Sequence, residues 1–118
     1  AHPLGCAAAI AGLALLNSPE IIGKRNWIEK SHLAFVNKIE NHPKVKNARS
    51  KGVVLAIDLA IDMDRYGSVR DELYQFFLER GILIRPLGNT IYLLPPYVIT
   101  EDQLSKCYTA FEEVLAHF

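Results

Sequence analysis

An α/β domain of the α+β kind, with a small, mostly antiparallel sheet covered by helices, is the fold class this sequence predicts. Three observations predict it. Short β-branched runs follow one another across tight, glycine-bearing turns, which joins strands antiparallel because a parallel pair needs a crossover of a dozen residues or more. Three amphipathic segments repeat their apolar residues at helical spacing behind recognisable start signals. Half of the 118 residues are apolar and 22% are charged. That balance suits one domain able to bury roughly two-thirds of the surface it exposes when unfolded.

Leu4–Leu16 reads as a helix that is apolar on nearly every side, with Gly5, Gly12 and several alanines allowing close backbone approach. A helix without a polar face needs cover all round, so a missing partner is expected. Ser18-Pro19-Glu20 starts a second helix, with a capping hydroxyl and proline at its first position. It should run to about Glu40 with Ile21, Ile28, Phe35 and Ile39 inward, stopped by Asn41-His42-Pro43. Val45–Arg49 is a short strand, Ser50-Lys51-Gly52 a turn, and Val53–Leu59 the clearest strand, both faces of which should be at least partly covered. A polar loop over 62–67 leads to a helix started by Ser68 and Asp71, with Val69, Leu73, Phe76 and Phe77 at helical spacing and Gly81 closing it. Ile82–Arg85 and Thr90–Leu94 are predicted as strands flanking a turn at Pro86–Asn89, and Pro95-Pro96 ends the second. Thr100 and Gln103 form a capping box for a last helix with Leu104, Tyr108, Phe111 and Leu115 on one stripe.

Composition excludes several function classes. The formal net charge is zero, so no strong field draws in nucleic acid or an anionic membrane. Lys44, Lys46, Arg49 and Lys51 are a solvated hairpin edge. Cys6 and Cys107 fall on apolar helical faces and read as buried thiols rather than a disulfide. His2, His32, His42 and His117 are scattered, without metal-ligand spacing, so no metal is expected. His32 shares the register of Ile28, Phe35 and Ile39 and reads as a packed or half-exposed helix residue. The longest apolar run is too short to span a bilayer and lacks the marks of a signal peptide, which points to a cytoplasmic protein. The abrupt opening at Ala1-His2-Pro3 reads as a cut edge within a larger protein.

Candidate chemistry concentrates in Gly81–Tyr97. Arg85 interrupts an apolar run, and a guanidinium there either meets an anion in a cleft or points to water from a strand end. Tyr92 alternates with Ile91 and Leu93 as a half-buried residue, and Tyr97 packs after the prolines. Asp58, Asp62 and Asp64 read as solvated strand-end and loop residues. There is no nucleophile–base pair and no phosphate-binding glycine motif, so no catalytic residue is assigned.

The segment RPLGNTIYLLPPYVIT (Arg85–Thr100), with the opening HPLGCAAAIAGLALL (His2–Leu16), resembles the class III, fold-type-I aminotransferases that use pyridoxal phosphate. The likeness covers essentially the whole chain in order. The opening is shared by many members, whereas RPxGxxxYLxPPY resembles the branch that aminates 8-amino-7-oxononanoate from S-adenosylmethionine in biotin synthesis. Relatives acting on ornithine substrates carry an arginine where this chain has Tyr92. The resemblance implies that Arg85 pairs with the keto-acid carboxylate, that Tyr92 lies at the same substrate site, and that the chain is the C-terminal small domain. It further implies that the Schiff-base lysine and the phosphate-contacting threonine lie outside the chain, which by itself is inactive. Its partners would be its own large domain and the second subunit of a homodimer. Two other readings stand beside it: a free-standing ferredoxin-like regulatory domain that binds a small molecule, and a class III aminotransferase with another acceptor.

Overall fold

The computed structural model describes residues 2–61 and 68–117, so the polar loop expected over 62–67 lies outside the described residues. The order is α1 (Pro3–Leu16), α2 (Pro19–Ile39), β1 (Val45–Lys51), β2 (Val54–Leu59), α3 (Ser68–Glu79), β3 (Thr90–Leu93) and α4 (Glu101–His117). The strands form one antiparallel sheet in the order β1-β2-β3, as the run of short strands requires. Lys51 pairs with Val54, so the hairpin loop is Gly52-Val53, one step later than the expected turn. Gly52 takes φ +56°, the left-handed value that the first loop residue of a type II′ turn needs and that only glycine adopts without strain. A bulge between Val45 and Asn47 bends β1 near its start.

Alternation along the strands gives the sheet two unlike faces. Leu55, Ile57 and Leu59 of β2 and Ile91 and Leu93 of β3 are buried and make one cluster with α2, α3 and α4. Phe77 of α3 meets Phe111 of α4 with ring centroids 5.2 Å apart, and Phe35 of α2 stacks on Tyr108 of α4 at 4.4 Å. The three helices therefore share one face of the sheet. The opposite face carries Arg49, Val54, Ala56, Asp58, Thr90 and Tyr92, none of them buried.

The helices α2 and α4 begin as their signals specify. Ser18 caps α2 by accepting from the Ile21 amide at 3.3 Å, and Thr100 and Gln103 exchange the two bonds of a capping box at 3.0 and 3.3 Å. Each such cap contributes on the order of 1 kcal/mol. The imidazole of His2 caps α1, its Nδ1 accepting from the Gly5 amide at 2.9 Å, a role the sequence did not reveal. Gly5 suits that contact, since a Cβ there would lie 3.1 Å from the same nitrogen.

Two expectations fail. The strand expected over 82–85 forms no ladder. Ile82, Ile84 and Pro86 are buried while Leu83, Arg85 and Leu87 are exposed, which is strand alternation, but the only pairing near them among the described residues is the bridge Leu87↔Thr90. Alternation records which side meets the core, not whether a strand edge is adjacent. Pro86 also holds φ near about −65°, away from the antiparallel value near −140°, at the step where the ladder would continue. Cys6 is exposed, whereas Cys107 is buried and free. No residue of α1 is buried; Leu4 is 79% and Ile10 70% exposed. The axes of α1 and α2 bend by 66° at their junction. The projecting helix agrees with a radius of gyration of 16.5 Å, against about 13.5 Å for a compact chain of this length. No single helix among the described residues is long and apolar enough to cross a membrane.

His32 is fully buried. Its Nε2 lies 3.2 Å from the Val53 carbonyl and its Nδ1 2.7 Å from the Tyr108 hydroxyl. A carbonyl only accepts, so Nε2 carries the proton and Tyr108 donates to Nδ1. One neutral ring thus joins α2, α4 and the hairpin loop. Burial pushes its pKa below the ordinary 6.5, and the Val53 bond offsets this only in part. The unfolded ring then takes up a proton at a higher pH than the folded one. Stability should be level above pH 6.5 and fall below it, by at most about 1.4 kcal/mol per pH unit. Urea unfolding at pH 7.5 and pH 5 checks this. His32→Leu should remove that part of the slope and cost about 1–3 kcal/mol at pH 7.5, because it strands the Val53 carbonyl and the Tyr108 hydroxyl. An unchanged slope in His32→Leu would assign the acid sensitivity to other groups.

Candidate functional site

Arg85 sits between two residues that the fold locks in place, since Ile84 and Pro86 are both buried. The alternation of the extended segment turns Arg85 outward, where it lines a cleft of about 490 Å³ with Arg70, Asp71 and Tyr74 of α3 and with Leu83 and Pro86. Its backbone is anchored and its side chain is solvent-accessible. No described residue makes a hydrogen bond or ion pair with its guanidinium. Of the two sequence readings, the cleft is real and so is the access to water; the site is a rim rather than a dry pocket. A fixed fork of donors at a cleft wall suits a planar anion, above all a carboxylate.

Tyr92 is not among the residues that line this cleft. It stands half-buried on the open sheet face, opposite Ala56, which in turn stands opposite Arg49. Beside it runs a polar row. Arg49 Nη1 donates to Asp58 Oδ2 at 2.6 Å and Thr90 Oγ1 donates to Asp58 Oδ1 at 2.7 Å. Asp58, expected to be merely solvated, is therefore a bonded member of this face. Burial pulls its pKa upward, but the bonds from Arg49 and Thr90 and the Arg49 charge outweigh it and leave the carboxyl below its usual range. Asp62 and Asp64 lie outside the described residues. Arg85 and Tyr92 thus mark two different surfaces, the α3 cleft and the open sheet face.

Arg70 and Tyr74 were not singled out in the sequence. Their signal was helical position: with Ser68 starting α3, Arg70 and Tyr74 are four residues apart and share a side of the helix. Nothing in the sequence alone says that this side meets Arg85. Among the described residues no group of three or more His, Cys, Asp or Glu is placed to hold a metal.

Pyridoxal phosphate, which the resemblance implies, does not fit the residues present. A lysine that forms a Schiff base is activated by burial or by neighbouring cations. Lys24, Lys30, Lys38, Lys44, Lys46, Lys51 and Lys106 are all exposed or half-exposed, and none lines the Arg85 cleft. Lys38 is paired with Glu112. This chain offers a wall and a guanidinium, not the cofactor's attachment point.

The family model that matches is that of class-III aminotransferases, over residues 1–115. The adenosylmethionine-8-amino-7-oxononanoate aminotransferase of Synechococcus elongatus is 42% identical over 116 residues, covering 98% of this chain and 27% of that protein. The enzyme of the same name from Helicobacter pylori is 34% identical, covering 97% of this chain and 27% of that protein. In solved structures the fold matches an acetylornithine aminotransferase from Elizabethkingia anophelis at a TM-score of 0.79 and 30% identity, over 98% of this chain and 30% of that one. The chain therefore spans little more than a quarter of the length of these relatives.

The polar row on the open face can be tested directly. The depressed Asp58 carboxyl contributes stability that is present above its ordinary value of 3.8 and is lost as pH falls through the lower folded value. Asp58→Asn should cost up to about 1 kcal/mol at pH 7, as expected for a partly exposed pair. The difference from wild type should shrink at pH 3, as read by denaturant midpoints at both pH values. An equal cost at both would show that the charge is irrelevant there.

Proposed function

Since the chain belongs to the class-III aminotransferase family, we propose that it is the C-terminal small domain of a pyridoxal-phosphate enzyme that transfers an amino group from S-adenosylmethionine to 8-amino-7-oxononanoate. The observation that carries the reading is Arg85, an exposed guanidinium on an anchored stretch of backbone at a cleft wall, with no acid among the described residues bound to it. The names of the two relatives above support the substrate pair, and Tyr92, in place of a second arginine on the sheet, agrees with it.

In this reading the chain's work is binding and orientation. Arg85 clamps the keto-acid carboxylate through two parallel charge-assisted bonds and so fixes how far the reacting carbonyl reaches. Tyr92 forms part of the wall of the open sheet face, against which the enzyme's large domain is placed. The cofactor is the electron sink when bound, and the residues that hold it belong to that large domain. The enzyme works as a cytoplasmic homodimer, and the chain alone has no activity.

Two results are expected. In the full-length enzyme, Arg85→Ala should weaken use of the keto acid by ~2–4 kcal/mol in transition-state terms, while the half-reaction with S-adenosylmethionine changes much less. Arg85→Lys should restore only part of the loss, because a point charge cannot form both bonds. Single-turnover kinetics separates the halves; a keto-acid step within about twofold of wild type, about 0.4 kcal/mol, would reduce Arg85 to a surface residue. The chain alone, incubated with pyridoxal phosphate and reduced with borohydride, should show no stoichiometric label on any one lysine. A single specifically modified lysine in the digest would refute the inactive-domain reading.

A further inference from the structure

Arg85 shares its cleft with a second guanidinium that is already engaged. Arg70 reaches Asp71 Oδ1 through both Nε, at 3.1 Å, and Nη2, at 2.8 Å, and Asp71 lines the same cleft. The Asp71 carboxylate thus occupies on Arg70 the place that a ligand carboxylate would take. Arg70 and Asp71 cancel, and among the described residues lining the cleft Arg85 holds the one uncompensated charge. Tyr74 adds only a neutral hydroxyl. The pair is open to water, with Arg70 39% and Asp71 71% exposed, so the discrimination it gives is on the scale of one exposed ion pair.

We infer that Asp71 is a specificity-determining residue that sets this cleft to accept one carboxylate, by neutralising Arg70 and so discriminating against dicarboxylic acids. The inference rests on the reading of Arg85 as the carboxylate clamp. Asp71 acts through Arg70 and touches no reacting atom. A rejected dianion would keep its second carboxylate solvated at a rim where the other cation among the described lining residues is occupied, whereas a monocarboxylate loses nothing. Asp71→Asn, which removes the charge with little change of shape, frees Arg70 for a second anion. Asp71→Ala vacates the position altogether.

The test uses the full-length holoenzyme and linear saturated acids of seven to nine carbons as competitive inhibitors of the keto-acid half-reaction, each dicarboxylate matched with the monocarboxylate of equal length. Asp71→Asn and Asp71→Ala should each lower the inhibition constant of at least one dicarboxylate by about three- to fivefold, the scale of one exposed ion pair, and move its monocarboxylate by less than about twofold. The gain should shrink as salt is raised and vanish when Arg70→Ala is added. A general loosening of the helix would not depend on ligand charge, so the ratio of the two constants separates specificity from structure. If Arg85→Ala weakens the monocarboxylates but the ratio is unchanged in both Asp71 variants, the inference on Asp71 is wrong and the clamp stands. If Arg85→Ala leaves monocarboxylate inhibition unchanged, the cleft is not the carboxylate site and both fall.

Discussion

A three-stranded sheet has two faces, and this chain has helices for one. Three helices lie over Leu55, Ile57, Ile91 and Leu93, and that one-sided cover governs where every other kind of residue can go. It concentrates the aromatic residues Phe35, Phe77, Tyr108 and Phe111 in a single layer. It also leaves Arg49, Asp58, Thr90 and Tyr92 in a row on the other side, where polar groups bond to one another across the strands instead of packing. Of the candidate substrate residues, Tyr92 belongs to the uncovered side and Arg85 to a cleft lined by α3. The chain buries what it needs to fold and presents the remainder as surface.

Such a surface is wide but not empty. Val54 is 39% exposed, and Ala56 and Tyr92 are half-buried, so the face is neither a second core nor an ordinary charged exterior. The projecting α1 extends the same condition beyond the sheet: its leucines and alanines are ordered by helix formation and a histidine cap, not by packing. Burial of an apolar helix contributes roughly 25 cal/mol per Å² of area covered, and α1 forgoes nearly all of it among the described residues. Family membership gives this economy a context, since the relatives are more than three times as long as the stretch they share with this chain.

What the sequence made legible was local. Ser18-Pro19, Thr100-Gln103 and Gly81 each specify a boundary through bonds within one helical turn, and the boundaries lie where those residues put them. Tyr92 was legible as half-buried because alternation in a strand is also local. What it could not supply were meetings across the chain. Ile82–Arg85 had the side-chain pattern of a strand, but a ladder needs a neighbouring edge, and no pattern within four residues reports one. Cys6 looked buried because its neighbours are apolar, yet burial belongs to what packs on a helix, not to the helix. Arg70 and Tyr74 meet Arg85 only because α3 returns against the segment that comes after it in the chain. His32 was visible as a core-facing residue, but not as the ring that joins Tyr108, 76 positions away, to Val53.

That ring has a consequence for the hairpin it touches. The Val53 carbonyl is where His32 finds it because Gly52, one residue earlier, holds a backbone angle closed to other side chains. Turn tips are usually where a sequence drifts most freely and where insertions are absorbed. Here the freedom is withdrawn: an added residue or a side chain at Gly52 would move an acceptor on which a buried imidazole depends. A position at the edge of the molecule therefore inherits the intolerance of its centre. Length variation in this family of hairpins should be sought at loops that no interior polar group reads.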